Sequence, residues 1–157
     1  MAFFKKSKYS TLSALPRQED PLKRKDIPEG LWEKCKKCDA TIFTKQKESN
    51  LYICPHCGYH NPMPAPQRIE LLTDPGSFVE IDANVESVDT LKFEGVSSYT
   101  SKLESNKKKT GLKDAIICGQ AKLDGRPYAL GVMDFRFLGA SMGAVVGEKV
   151  TRLVEFA

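Results

Sequence analysis

Two Cys-x-x-Cys pairs fifteen residues apart, two β-rich runs joined by Asp124-Gly125, and an apolar repeat of helical period after residue 144 predict an α/β chain. Its parts are a Cys₄ zinc ribbon near the front and a mixed strand-and-helix domain behind it. The chain has 157 residues, and 41% of them are hydrophobic, which is globular rather than disordered composition. No run of about 18 apolar residues occurs, so no membrane-spanning helix and no membrane partner are predicted.

The ribbon is the sharpest signal. Cys35-Lys-Lys-Cys38 and Cys54-Pro-His-Cys57 fit the spacing of a four-cysteine zinc site. Each pair forms a knuckle that directs two sulfurs to one point, and two knuckles close a tetrahedron with Zn–S of about 2.3 Å. The connection between them is read as a hairpin: Ala40–Lys45 outward, a polar turn at Lys47–Asn50, and Leu51–Ile53 back. Pro55 fixes one φ in the second knuckle, and Gly58 follows it where a positive φ is easily adopted. Lys34, Lys36 and Lys37 offset the net −2 charge of four thiolates on Zn²⁺. So short a lobe cannot bury enough apolar surface to fold unaided, and a structural zinc contributes about 10–16 kcal/mol in such modules.

Four thiolates leave no open coordination position, which argues for a structural metal rather than a water-activating one. The same ligand set also holds iron. A redox CxxC needs one pair in a βαβ context that is absent here. His56 and His60 read as surface or hydrogen-bonding residues, because the shell is already complete. Cys118, in the apolar run from Ala115, reads as a buried inert thiol. An odd cysteine count without a secretory signal argues against a disulfide framework and for a reducing compartment.

Three segments follow: a flexible basic tail over 1–30, the ribbon over 31–61, and the domain over 62–157. Their formal charges are +3, +2 and −1. A mildly basic front leaves a nucleic-acid partner open beside simple solvation. The tail lacks a secretory apolar run; an organellar transit segment is the alternative reading. Asn61-Pro-Met-Pro-Ala-Pro66 is a stiff connector. Gln67–Leu72 then predicts a short helix, Asp74-Pro75-Gly76 a turn and Phe78–Ile81 a strand. The polar stretch 97–110 predicts a partly helical surface segment closed by Gly111. Ala115–Leu123 and Pro127–Phe137 predict a hairpin about Asp124-Gly125.

Next comes the small-residue loop Leu138-Gly139-Ala140-Ser141-Met142-Gly143. A helix then carries Val145, Val146, Lys149, Val150, Leu153 and Val154 on one face. A strand, a small-residue loop and a helix start let backbone N–H groups approach a ligand; a tight turn with close helix packing is the plainer reading. The chain ends inside the helical pattern without a stop signal, which reads as a truncated or longer polypeptide.

Leu31–Cys38, the Cys54-Pro-His-Cys57-Gly58 knuckle and Phe137–Lys149 resemble the carboxyltransferase β-subunit family of acetyl-coenzyme A carboxylase. The resemblance covers nearly all of residues 31–157. It implies a crotonase-like (ClpP/crotonase) ββα domain behind the ribbon, here its first part. It implies an α₂β₂ enzyme that moves CO₂ from carboxybiotin to acetyl-CoA, giving malonyl-CoA for fatty acid biosynthesis. Implied partners are the carboxyltransferase α subunit, the biotin carboxyl carrier protein that bears the biotin, and the ATP-consuming biotin carboxylase. The implied location is the cytoplasm, or the plastid stroma for a plastid source. Within the family, a Gly-Gly pair in a Ser-Gly-Gly-Ala-Arg segment donates to the enolate oxygen. No such segment occurs in these 157 residues, so no catalytic residue is assigned within this chain. Gly139, Ala140, Ser141 and Gly143 are the candidate substrate-binding residues. The family's usual two-glycine loop reads Gly139-Ala140 here. A nucleic-acid-binding ribbon protein and a non-catalytic interaction module are the competing readings, the former with Phe43, Tyr52 and Tyr59 as the ribbon's few stacking positions.

Overall fold

The computed structural model describes residues 30–157; the tail expectation for 1–30 falls almost wholly outside them. The ribbon begins with β1 (Trp32–Lys34) paired antiparallel to β2 (Thr41–Phe43), with Trp32 opposite Phe43. The two rings stack at 5.2 Å, tilted. The hairpin expected over Ala40–Ile53 does not form. β2 instead pairs backward with β1, and the chain turns directly into α1 (Thr44–Ser49). The segment Lys45-Gln-Lys-Glu-Ser has straight-chain residues that favour helix and no β-branched residue to hold a strand. The chain returns to the second knuckle through a single bridge, Ile53 to His60.

The connector leads into α2 (Ala65–Leu72), with Pro66 in its first turn, where a missing N–H costs nothing. β3 (Val79–Ile81), β4 (Ile116–Leu123) and β5 (Arg126–Met133) form one antiparallel sheet in the order β3-β4-β5. Asp124 and Gly125 join β4 to β5 at φ of 52° and 76°, both positive as a type I′ turn requires. Asp74 holds that turn from outside: its carboxylate accepts from Asp124 N at 2.9 Å and Gly125 N at 2.8 Å. α3 (Tyr99–Thr110) is capped by Ser98, whose hydroxyl accepts from Ser101 N at 3.3 Å, and ends at Gly111 as expected. Lys107–Lys109 occupy its last turn, where cations suit the helix dipole.

β5 stops at Met133, four residues short of the expected Phe137. Asp134 turns the chain: its N–H donates to Ala115 O at 2.8 Å, and its carboxylate accepts from Arg136 N at 2.9 Å. A short 3₁₀ turn (Leu138–Ala140) and α4 (Ala144–Phe156) complete a β-β-α unit. The core is Leu103, Ala115, Ile116, Cys118, Phe137 and Val146, with Leu153 packed against it. The face predicted for α4 is only half covered. Val146 and Lys149 are buried, while Val150 and Val154 face outward because β4 and β5 lie under one side of the helix only. Among the described residues no helix is long and apolar enough to cross a membrane.

Candidate metal centre and small-residue loop

The two knuckles repeat one backbone device. In the first, Cys35 N donates to Ala40 O at 2.9 Å and Asp39 N to Cys35 O at 3.0 Å. In the second, Cys54 N donates to Tyr59 O at 2.8 Å and Gly58 N to Cys54 O at 3.0 Å. Asp39 and Gly58 occupy the same place, four residues after the first cysteine of each pair, and both are left-handed, at φ of 55° and 69°. That conformation reverses the chain so both sulfurs face inward. Glycine adopts it freely, and aspartate is among the few other residues that tolerate it.

The result is one cluster. The Sγ atoms of Cys35, Cys38, Cys54 and Cys57 all lie within 4.8 Å of one another. Cys35 to Cys57 is 3.7 Å and Cys38 to Cys54 is 3.8 Å. A tetrahedron with Zn–S of about 2.3 Å has an edge of about 3.8 Å, so the sulfurs are spaced to take zinc. His56 and His60 are exposed and outside the cluster.

Electrostatics point the same way. Backbone N–H groups of Lys37 and Cys38 aim at Cys35 and pull its thiol down to about 6. At Cys57 the Tyr59 N–H also favours the thiolate, but burial and three neighbouring sulfurs outweigh it and push the thiol up to about 12. Thiols this close cannot all ionise unaided; a divalent cation makes four thiolates compatible. Under the knuckles lie Ile42, Tyr59 and the Cys35 and Cys54 side chains. Tyr52 is 6% exposed, with Lys47 over its ring at 5.3 Å. It is therefore not the exposed stacking position the sequence suggested. The exposed aromatic of the ribbon is Trp32, which that reading passed over although it begins a strand.

Cys118 is fully buried, and burial pushes its thiol up, in keeping with an inert role.

The second candidate feature lies at the other end of the chain. Leu138, Gly139 and Ala140 are all left-handed, at φ of 45°, 66° and 56°. The four candidate residues divide by what their amides do. Ala140 N donates to Phe137 O at 2.9 Å and Ser141 N to Leu138 O at 3.4 Å, so these two are spent inside the turn. Gly139 N and Gly143 N have no acceptor among the described residues. Gly143 precedes the first turn of α4 and gives it no side-chain cap. Asn106 fastens the loop to α3 by accepting from Leu138 N at 3.3 Å.

Comparison with known proteins matches the ribbon to a family and most of the chain to curated relatives. The acetyl-CoA carboxylase zinc finger domain family matches residues 32–57. The chain is 49% identical over 142 residues to the acetyl-coenzyme A carboxylase carboxyl transferase subunit beta of Citrifermentans bemidjiense, covering 90% of this chain and 50% of that protein. It is 51% identical over 135 residues to the subunit of the same name from Gloeobacter violaceus, covering 86% and 44%. The chain thus spans about half the length of the curated relatives it matches. Among solved structures, a transcarboxylase 12S with methylmalonyl-coenzyme A and methylmalonic acid bound aligns with 71% of this chain and 17% of its own, at 23% identity and a TM-score of 0.47.

Proposed function

We propose that this chain, a member of the acetyl-CoA carboxylase carboxyltransferase β-subunit family over the N-terminal part it spans, works as part of the carboxyltransferase that moves a carboxyl group from carboxybiotin to acetyl-CoA. The observation that carries the reading is identity of about half along nine-tenths of the chain. The zinc ribbon is a structural lobe. Its four sulfurs complete the metal's shell, so the metal holds the fold and performs no step.

The chemical problem of the reaction is an enolate. Loss of a proton from acetyl-CoA places negative charge on the thioester oxygen. Fixed backbone donors stabilise such charge because they need no reorganisation, and losing one costs about 2.7–4 kcal/mol in comparable sites. The Ser-Gly-Gly-Ala-Arg segment that supplies them in the family does not occur in this sequence. Loop 139–143 is assigned a substrate-lining role. Gly139 and Gly143 carry the amides left over for a ligand; Ala140 and Ser141 shape the turn that presents them. The assembly would comprise the α subunit, the biotin carboxyl carrier protein and the biotin carboxylase, in the cytoplasm or a plastid stroma.

The test mixes the purified zinc-loaded chain with the carboxyltransferase α subunit. Co-elution without malonyl-CoA formation is expected. Failure to co-elute contradicts the β-subunit reading, and turnover contradicts the assignment of the enolate donors elsewhere.

A further inference from the structure

The least exposed charged side chains among the described residues are Asp134 and Lys149, at 1% and 2%. Asp134 is paired with Arg136. Lys149 has no ion pair within 4 Å and makes no hydrogen bond among the described residues, although it sits on the inner face of α4. Yet no sealed side-chain nitrogen or oxygen lacks a partner there. Both facts hold only if the ammonium is not itself fully sealed, and Lys149 is among the residues lining a cavity of about 180 Å³ between α4, the end of α3 and the sheet.

The other polar groups at that cavity are accounted for. Asp114 is 5% exposed, and its carboxylate is spent on neutral donors: Ser87 Oγ at 2.7 Å and its neighbour Ala115 N at 2.8 Å. Glu80 is exposed and lines the same cavity, and it forms no ion pair with the ammonium. Lys113 adds a second cation, and the amides of Lys113 and Asp114 have no acceptor among the described residues. Ile116 and Ile117 make the remaining wall apolar. A cavity this size holds about six waters at ~30 Å³ each, so the ammonium is hydrated when nothing else enters. A buried ammonium with three donors and no acceptor gains most from an anionic oxygen, and the low-dielectric wall strengthens that pairing. Glu80 and Asp114 bring two negative charges, which disfavours a dianion and leaves a single carboxylate as the fitting chemistry.

We propose that this cavity is a carboxylate-binding site built on Lys149. It is separate from the four-cysteine cluster and from loop 139–143; the site itself does not depend on the functional reading above, and only the choice between the two sources of the carboxylate rests on it. The carboxylate comes either from an acidic side chain of a polypeptide packed against this face or from a small carboxylate in solution.

The probe is sodium acetate, titrated at constant ionic strength against sodium chloride and followed by amide NMR of the zinc-loaded chain. Saturable shifts at Lys113 and Asp114 are expected, retained in Lys149→Arg and weakened about ten-fold or more in Lys149→Met. Lys149→Gln serves as the neutral variant if the methionine variant loses its dispersed spectrum. Absence of saturable shifts in the unaltered chain, or equal shifts in a folded neutral variant, overturns the proposal. Adding the α subunit distinguishes the sources: abolished acetate shifts mean that a protein carboxylate fills the site, and unchanged shifts mean that it serves a soluble one.

Discussion

Ala65 and Asp134 are 69 residues apart in sequence, yet Ala65 N donates to Asp134 Oδ2 at 2.9 Å in a buried contact. One carboxylate thereby fastens the start of α2, just behind the ribbon, to the strand end that leads into loop 138–143. The same carboxylate takes Arg136 Nη2 at 2.7 Å and Arg136 N at 2.9 Å.

Replacing that carboxylate with an amide is the first prediction. Burial alone would raise the Asp134 carboxyl; the Arg136 guanidinium and the amides of Ala65 and Arg136 outweigh it and hold the group below its ordinary value. A depressed folded-state pKa means stability that is present above the unfolded value, near ~3.9, and lost as pH falls through the folded one. Arg136 is partly exposed, so the effect is that of a charged hydrogen bond rather than a sealed ion pair. Asp134→Asn is expected to cost about 1–3 kcal/mol at pH 7 in urea unfolding. The gap from the parent chain should close progressively below about pH 4. A gap that stays constant with pH would place the effect in packing instead.

Two glycines make opposite predictions. A Cβ on Gly119 would lie 2.5 Å from Val79 O and 2.6 Å from the Phe78 ring, so β3 and β4 could not keep their spacing. Gly119→Ala is expected to destabilise by about 1–3 kcal/mol. Gly147 lies inside α4 with nothing within 4 Å of its would-be Cβ, and Gly147→Ala should stabilise by about 0.5–1 kcal/mol. Thermal unfolding of both variants decides this, with melting shifts of opposite sign.

Ala140 sits at φ of 56°, where an L side chain is strained by about 1–2 kcal/mol. Ala140→Gly relieves that strain and adds unfolded-state entropy, so stability should hold or rise by up to about 1 kcal/mol. Gly139→Ala, at φ of 66°, should cost about 1 kcal/mol. Denaturant midpoints for the two variants test whether the loop holds its left-handed run.

The parts legible in sequence were those fixed by short-range chemistry. Cysteine spacing foretold the cluster, Asp124-Gly125 the hairpin, and Gly111 the end of α3. What sequence misplaced depended on distant partners. β2 pairs with β1 rather than with a strand after the turn, because the intervening Lys45–Ser49 prefers helix. β5 ends early because Asp134 meets Ala115 and Ala65, neither of them a sequence neighbour. Tyr52 reads as a surface aromatic until the fold turns it inward, whereas the spacing alone places Lys149 on the apolar face of the last helix, and the structure adds that it is buried there without an ion pair among the described residues. The loop's shape was foreseen in outline, but the division of its amides between internal and free needed coordinates.

The central claim is that four thiolates share one zinc ion, and sulfur-sensitive X-ray absorption at the zinc edge tests it most directly. The reduced, purified chain should hold one zinc per molecule with four sulfur neighbours at about 2.3 Å. Cys54→Ser should lose that stoichiometry, together with the dispersed amide signals of residues 32–60. A ribbon that remains folded without metal, or a zinc shell containing histidine nitrogen in place of sulfur, would contradict the account.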